Sequence, residues 1–422
     1  ASCHRAVAMS SRHPPITPLW TAAEGVIPPL THDELHRIAE PIETARTLPP
    51  RAFTDETFFE AERRRVFAAG WIALTFAADT PRSGDAKPID ALGTPVLVVR
   101  QLDGSIGVFH NLSPYDACPV LIDPVRGATD FVSPYHGWRF DLTGRLLAAP
   151  FWNGRPDAAA GDVGAERKDL TRIRSAVWCG VVFVDLGGKA PPFDTYIRPL
   201  LQRVPGLSED LLAADAEPSE PTDTAANWKT LFENTCINVY HEGFVHRLYK
   251  AAADVPRVDP NGCKTFEEIC DDGLYGLGFT AGAALAAYGD SGLPLLPWRD
   301  PMAGQGCLIV SLYPSLHFAV MRDHIAITIA LPLGPGVTRS RTWTLFAKAA
   351  CSDEHAITRM LITQAMAAAG SEDARICEAI QSARRSLLAE ASPYCPFWDR
   401  MHHDFTQRLA KAYTGPTLHQ DA

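Results

Sequence analysis

The sequence lacks both a long apolar run and an excess of positive charge. A membrane-spanning helix needs about 20 mostly apolar residues, and the longest apolar stretches here, near 283–288 and 308–312, are far shorter. The 49 Asp and Glu outnumber the 39 Lys and Arg, so the formal net charge is −10. A nucleic-acid surface needs a basic face. We therefore expect neither a membrane nor a nucleic acid as a partner.

Cysteine is also scarce, with 10 in 422 residues and no Cys-x-x-Cys pair. This number is too small for a disulfide scaffold, and the missing pairs argue against a zinc site. Residues 1–11 include basic side chains but no apolar stretch of the kind that a secretory leader carries. These features predict a cytoplasmic protein without structural disulfides.

The distribution of prolines, glycines and β-forming residues predicts an arm and two domains, with an α+β fold overall. Prolines interrupt residues 1–45, which we expect to form an extended N-terminal arm. A helix is expected at 55–70. Short β-rich runs at 71–76, 95–100, 106–110 and 177–186 predict an all-β domain over 46–190. No internal repeat is evident.

Residues 191–422 combine helical and β patterns and form the second expected domain. The predicted elements are a helix over 226–249, an irregular stretch to about 300, and strands at 308–320, 324–333 and 341–350. A long helical C-terminal part follows, with 371–388 as its clearest helix.

Two histidines stand out in the second domain, His241 and His246. Residues five apart on an ideal helix are about 500° apart in rotation, so their side chains converge only if the helix ends between them. Gly243 is placed to end it. The two imidazoles would then be able to bind one metal ion. Two unrelated histidines would give the same spacing.

A carboxylate that completes such a site occurs at Asp373, two residues after Ser371, a good helix N-cap. Two histidines and one carboxylate form the facial triad of non-haem Fe(II) oxygenases. An acidic residue in the first turn of a helix is also favourable without any metal, because it faces the positive end of the helix dipole.

Three segments resemble those of Rieske-type ring-hydroxylating oxygenase α subunits. They are Asn-Trp-Lys…Glu-Asn…Tyr-His…His over 227–246, Glu-Asp…Cys-Glu…Gln over 372–381, and Ser-Pro-Tyr-His-Gly-Trp over 133–138. The segments 45–51 and 70–71 resemble the branch that oxidises quaternary ammonium compounds. The resemblance implies a Rieske-like all-β domain and a helix-grip catalytic domain. It also implies His241, His246 and Asp373 as Fe(II) ligands, with O₂ and a small organic molecule as substrates.

The first departure from the family lies at the positions of its [2Fe–2S] ligands. The family carries Cys-x-His, about seventeen residues, then Cys-x-x-His, because two thiolates and two imidazoles hold the two irons. This chain has Ser113 and Tyr115, seventeen residues (116–132), then Ser133 and His136. Three of the four ligands are changed, and Cys118 nearby would add one thiolate at most. We therefore expect no [2Fe–2S] cluster.

The second departure is Asn238, three residues before the first histidine. The family has an acidic residue there, which connects the mononuclear site to the cluster of the neighbouring subunit. An amide still makes hydrogen bonds but carries no charge. Asn238 is therefore a candidate functional residue, and we expect the loss of the acidic side chain to weaken electron or proton coupling.

Three functions remain compatible with the sequence. The leading one is an oxygenase component in a homo- or hetero-trimer or hexamer, in which a cluster-bearing homologue or a reductase supplies electrons. The second is a stand-alone iron enzyme that needs no external electrons. The third is a non-catalytic structural or regulatory partner of an active oxygenase. Trp298, Phe318, Tyr288 and Phe279 either line a substrate pocket or belong to the core.

Overall fold

The protein consists of two compact units in the computed structural model, which describes residues 29–164, 168–214, 216–246, 257–296 and 305–414. Ala68–Phe193 forms the first unit, and the described residues of 24–67 and 194–422 form the second. The division near 193 lies close to the boundary expected at 190/191. Residues 46–67, which the sequence assigned to the first domain, lie in the second unit.

Seventeen strands and eight α-helices make up most of the regular structure of the described residues. The strands are β1 Ile72–Phe76, β2 Ala86–Ala91, β3 Thr94–Arg100, β4 Ile106–His110, β5 Asp130–Val132, β6 Arg139–Asp141, β7 Leu146–Ala148, β8 Arg174–Trp178, β9 Val181–Asp185, β10 Leu212–Ala214, β11 Thr222–Thr224, β12 Glu267–Asp271, β13 Leu274–Thr280, β14 Gln305–Leu312, β15 Leu316–Val320, β16 His324–Gly334 and β17 Val337–Ala347. The helices are α1 His32–Ala39, α2 Glu56–Glu62, α3 Phe193–Arg203, α4 Trp228–Phe232, α5 Glu242–Val245, α6 Ala281–Tyr288, α7 Ala356–Ala383 and α8 Arg400–Thr414.

The first unit is built from three antiparallel sheets of three strands each, β1-β9-β8, β2-β3-β4 and β5-β6-β7. Its core includes Leu97, Phe109, Phe131 and Phe140, all nearly inaccessible to solvent. Strands β1, β3, β4 and β9 are buried over most of their length, whereas the short β5 and β6 bury only their central residue. The all-β character expected for this part of the chain is confirmed.

The second unit contains one eight-stranded antiparallel sheet in the order β10-β17-β16-β15-β14-β13-β12, with β11 also paired to β17. The long hairpin β16–β17 follows the two predicted strands 324–333 and 341–350 closely. The helices of this unit complete a mixed α and β structure, as the sequence predicted.

Several local predictions were wrong because short-range patterns do not show where the backbone reverses. Residues 177–186 and 308–320 are each parts of hairpins, β8–β9 and β14–β15. The stretch expected to be irregular contains β12, β13 and α6, and the expected arm contains α1. Among the described residues, no helix combines the length and apolar character needed to cross a bilayer.

A buried ion pair anchors α4, the helix that leads to the two histidines. Lys229 Nζ lies 2.5 Å from Glu62 Oε1, and both side chains are fully inaccessible to solvent. Trp228 Nε1 donates to Glu62 Oε2 at 2.7 Å, and the Tyr413 hydroxyl donates to Oε1 at 2.5 Å. A carboxylate buried with one cation and two neutral donors has its charge compensated and its oxygens satisfied. The start of α4 is therefore held in place.

Candidate metal centre

The expected helix over 226–249 is interrupted, and the interruption brings the two histidines together. After α4, a π-helical turn spans Glu233–Ile237, and Asn238 then leaves the helical region with φ −110° and ψ 75°. His241 ends a 3-10 turn, and His246 is the extended C-cap of α5. Gly243 lies inside α5, so the prediction that it ends the helix was wrong. The helical backbone is broken at Asn238, before His241, and α5 ends at His246.

Three donor atoms from distant parts of the second unit meet at one point. His241 Nε2 lies 3.4 Å from Asp373 Oδ1, and His246 Nε2 lies 3.3 Å from the same oxygen. All three atoms lie within 4.8 Å of one another. Metal–ligand bonds of about 2.1 Å place neighbouring ligand atoms about 3.0–3.4 Å apart. The two histidine–aspartate distances therefore match those between neighbouring ligands of one metal ion, and all three side chains are close enough to share it.

The opposite nitrogen of each ring is held by a different acceptor. His241 Nδ1 is hydrogen-bonded to the main-chain oxygen of Asn238, and His246 Nδ1 lies 3.3 Å from Glu372 Oε2. A proton on Nδ1 leaves the lone pair of Nε2 free for a metal ion. Sequence reasoning missed Glu372 in this role, although its position beside Asp373 was a usable signal.

Asp373 lies in the middle of α7, because that helix begins at Ala356 and runs to Ala383. The prediction that Ser371 caps a helix was therefore wrong, and the Ser371 hydroxyl instead donates to the Ala367 carbonyl at 2.9 Å. The stretch before it is rich in alanine and belongs to the long helical C-terminal part that the sequence predicts. A long helix gives Asp373 a rigid support, which suits a metal ligand.

Asp373 Oδ1 is buried and has no hydrogen-bond partner among the described residues. A buried carboxylate oxygen without a partner is costly, and a bound cation would satisfy it. Two neutral imidazoles and one carboxylate, with no other protein ligand required, suit non-haem Fe(II). The side chains present therefore fit such an ion.

Two pKa shifts describe the electrostatics of the site. Burial lowers the pKa of His241, but the nearby Asp373 carboxylate and the Asn238 carbonyl outweigh it and hold the pKa above its ordinary value. A metal ion has to displace that proton from the ring. Burial, together with the negative charge of Asp373, raises the pKa of the Cys377 thiol to about 12. Cys377 is therefore a neutral buried side chain near the site.

His402, His403 and Asp404 point to different neighbours, as expected for adjacent residues on a helix. His402 Nε2 lies 3.3 Å from Glu233 Oε1, and His403 Nε2 lies 3.2 Å from the Ile38 carbonyl oxygen. Asp404 accepts a 2.7 Å hydrogen bond from the Tyr275 hydroxyl. Within the described parts of the chain, the three side chains at 241, 246 and 373 form the one group of metal-ligating residues.

In the first unit, the four positions that the resemblance assigns to [2Fe–2S] ligands lie on two neighbouring loops. Ser113 and Ser133 are buried, and Tyr115 packs against the ring of His136 with centroids 4.9 Å apart. This set offers one imidazole and no thiolate, whereas a Rieske cluster needs two of each. The residues present at these positions therefore do not fit a [2Fe–2S] cluster.

Two of the four candidate pocket aromatics, Phe318 and Phe279, have side chains that the structure describes. Phe318 and Phe279 are buried, with 1% and 5% of their surface exposed. Phe279 has Phe266 at 6.2 Å and the Arg257 guanidinium at 5.9 Å from its ring centre. Trp298 and the side chain of Tyr288 lie outside the described residues. Phe318 and Phe279 are core residues of the sheet.

Two protein-family profiles match the chain. The profile described as the catalytic domain of the ring-hydroxylating α subunit covers residues 212–415, and the profile described as the Rieske [2Fe–2S] domain covers residues 70–156. The second profile describes similarity over the domain as a whole, in which the four ligand positions are a small part. Both parts of the expected fold class are confirmed.

Curated relatives and solved structures agree with these profiles. The α subunit of biphenyl dioxygenase from Metapseudomonas furukawaii is 30% identical over 219 residues, which is 50% of this chain and 47% of that protein. The oxygenase subunit of carnitine monooxygenase from Escherichia coli K12 is 27% identical over 50% of this chain and 55% of that protein. The chain thus matches about half the length of these relatives.

Two solved structures share the fold over most of the chain. The quaternary ammonium Rieske monooxygenase CntA has a TM-score of 0.70 at 17% identity, covering 91% of this chain and 99% of that one. Naphthalene 1,2-dioxygenase from a Rhodococcus species has a TM-score of 0.67 at 19% identity, covering 90% and 96%.

Proposed function

Because the chain belongs to the family of Rieske-type ring-hydroxylating oxygenase α subunits, we propose that it binds one Fe(II) ion and acts in the O₂-dependent oxidation of a small organic substrate. The ligands in this proposal are His241, His246 and Asp373. The observation that carries it is the convergence of their donor atoms around Asp373 Oδ1, which accepts no hydrogen bond from the described residues.

Fe(II) held by such a triad activates O₂ while leaving coordination positions open. The protein residues determine how the ion is held. Asn238 and Glu372 fix the tautomers of the two imidazoles, so that both Nε2 atoms face the carboxylate of Asp373. The long helix α7 keeps that carboxylate at a constant position relative to α5.

We further propose that this chain carries no [2Fe–2S] cluster of its own. The donor set supports this proposal, because Ser113, Tyr115 and Ser133 stand where thiolates and an imidazole are needed. The electrons would then come from a cluster-bearing homologue in a trimer or hexamer, or from a separate reductase. We place this assembly in the cytoplasm.

Asn238 bears on the proposal that another protein supplies the electrons. Its main-chain oxygen orients His241, and its buried side-chain oxygen Oδ1 has no hydrogen-bond partner among the described residues. A neutral amide at this position cannot exchange a proton with a neighbouring imidazole, whereas a carboxylate can. We propose that Asn238 stands at the position where the family couples the iron site to a neighbouring subunit, and that its lack of charge weakens electron or proton coupling there.

The decisive experiment is metal analysis together with a visible spectrum of the purified chain. We expect about one iron per chain and no red-brown absorption, against about three irons with absorption for a chain that also holds a cluster. His241→Ala should lose the iron, and His403→Ala, a histidine hydrogen-bonded elsewhere, should retain it. Iron that remains in His241→Ala would contradict the proposed ligand set.

Activity then separates the three functions. The wild-type chain, mixed with a cluster-bearing homologue and its reductase, should oxidise a carnitine-type or arene substrate, and His241→Ala should abolish that turnover. If turnover is unchanged by His241→Ala, the chain is a non-catalytic partner. If the iron-loaded chain works alone without reductant, it is a stand-alone iron enzyme.

A further inference from the structure

Two six-residue loops in the first unit are structural repeats of each other. Residues 113–118 and 133–138 both begin Ser-Pro-Tyr, so the expectation of no internal repeat was wrong for this short segment. In each loop, the amide of the first residue donates to the carbonyl of the sixth at 2.8 Å. The amide of the fifth residue donates back to the carbonyl of the first, at 2.9 Å in one loop and 3.0 Å in the other.

In each loop the chain reverses direction, and the fifth residue has the left-handed backbone conformation that this turn requires. Ala117 has φ 58° and Gly137 has φ 71°. The backbone therefore keeps two equivalent loops, although the side chains at the expected cluster positions do not fit a cluster.

A direct hydrogen bond joins the fourth residues of the two loops, Asp116 and His136. The bond joins His136 Nδ1 to Asp116 Oδ2, while the other carboxylate oxygen accepts from the Cys118 amide at 2.9 Å. The Asp116 side chain is 10% exposed. Burial raises the pKa of Asp116. The hydrogen bonds from His136 and from the amide of Cys118 lower it by more, so the pKa of Asp116 lies below its usual range. Hydrogen bonds to such an anion are among the stronger ones in proteins.

An aromatic stack makes the second connection between the loops. The ring of Tyr115, from the first loop, lies parallel to Trp138 of the second loop, with centroids 5.4 Å apart and planes 10° apart. Trp152 meets both rings edge-on at 5.6 Å. Aromatic pairs of this kind stabilise beyond the apolar area that they bury.

We propose that the Asp116–His136 hydrogen bond and the Tyr115–Trp138 stack replace a [2Fe–2S] cluster as the cross-link between the two loops. In a domain with Cys and His ligands, the metal bonds would tie the loops together. Here side chains of the same loops do so, and these contacts need no iron. This inference rests on the proposed absence of a cluster.

The test is amide hydrogen exchange of the whole chain, before and after an iron chelator. In the wild-type protein, exchange in 113–118 and 133–138 should be equally slow in both conditions. Asp116→Ala and His136→Ala should each accelerate exchange in both loops about tenfold, the loss expected for one charge-assisted hydrogen bond. Asp123→Ala, which changes an exposed carboxylate between the loops, is the matched control and should leave the rates unchanged.

The double variant and a tyrosine variant complete the test. If the two side chains act through each other, Asp116→Ala with His136→Ala should be no faster than either single variant. Tyr115→Ser should also loosen both loops. Unchanged exchange in these variants, in a protein that the spectrum shows to be free of cluster, would overturn this inference alone. Loops that loosen on chelation, with loss of red-brown colour, would overturn the proposed absence of the cluster as well.

Discussion

Glu372 Oε2 lies 3.3 Å from Nδ1 of His246, on the side of the ring opposite to the candidate iron site. The neighbouring residue on α7, Asp373, contributes the oxygen that faces Nε2 of the same histidine at 3.3 Å. Two successive residues of one helix therefore bracket one imidazole. The ring is fixed in position and in tautomer by the same short segment.

We expect Glu372→Ala to weaken iron binding about 10- to 100-fold, as is usual when the partner of a metal-bound histidine is removed. The ring of His246 would then lose the acceptor that keeps Nε2 unprotonated. Iron affinity, measured by anaerobic titration, checks this. Glu378→Ala is the control, because Glu378 lies on the same helix and accepts a hydrogen bond from the Ala225 amide instead. Equal losses in both variants would show that the effect is general to α7.

We expect Lys229→Met to destabilise the second unit by about 3–5 kcal/mol, because it leaves the fully buried Glu62 carboxylate without its cation. Burial lowers the pKa of Lys229, while Glu62 opposes that shift. Chemical denaturation gives the free energy of unfolding. Lys411→Met, at an exposed position of the same unit, should change it little. A loss below about 1 kcal/mol for Lys229→Met would mean that the pair does not anchor α4.

The Glu34–Arg51 ion pair predicts a dependence of stability on pH. The hydrogen bond from Arg51 lowers the pKa of Glu34 to about 2, against the opposing effect of burial. Since the folded pKa lies below the ordinary value of 4.5, the contribution is complete above about pH 4.5 and is lost as the pH falls to about 2.

Glu34→Gln keeps a capping side chain but removes the charge. It should cost about 1 kcal/mol at pH 7, because the pair is partly exposed. The difference from wild type, measured by denaturation at pH 7 and pH 3, should be smaller at pH 3. Glu43→Gln, at an exposed position, serves as the control. A difference that grows towards pH 3 would contradict the assignment.

The paired loops predict opposite effects for two reciprocal substitutions. Ala117→Gly should stabilise the first unit by about 1 kcal/mol, because an L-residue is strained at φ 58°. Gly137→Ala should destabilise it by a similar amount at φ 71°. An added Cβ at Gly137 would meet only Pro150 Cγ, at 3.9 Å, so backbone strain alone is tested. Thermal melting measures both, and shifts of the same sign would refute the equivalence of the loops.

The strand predictions were accurate where the local pattern of apolar residues alone determines the secondary structure. The alternating apolar residues of 106–110 and 324–333 predicted strands close to β4 and β16. The pattern failed at 226–249, because the same residues continue a helical period through the π-turn and the break at Asn238. It also failed at Ser371, where an alanine-rich stretch extends α7 far upstream. At 226–249, tertiary packing overrides local preference, whereas at Ser371 the high helix propensity of the preceding alanines carries α7 through the expected cap.

The sequence by itself determined which residue types are available: two imidazoles and a carboxylate in the second unit, and two serines, a tyrosine and a histidine at the expected cluster positions of the first. These identities limit the chemistry, because thiolates cannot be supplied by serine. Only the tertiary structure decided which atoms meet. His241 and Asp373 are far apart in the chain, and their contact depends on the break before His241 and the course of α7. The Asp116–His136 hydrogen bond could likewise not be predicted from the sequence, because it requires two separate loops to face each other.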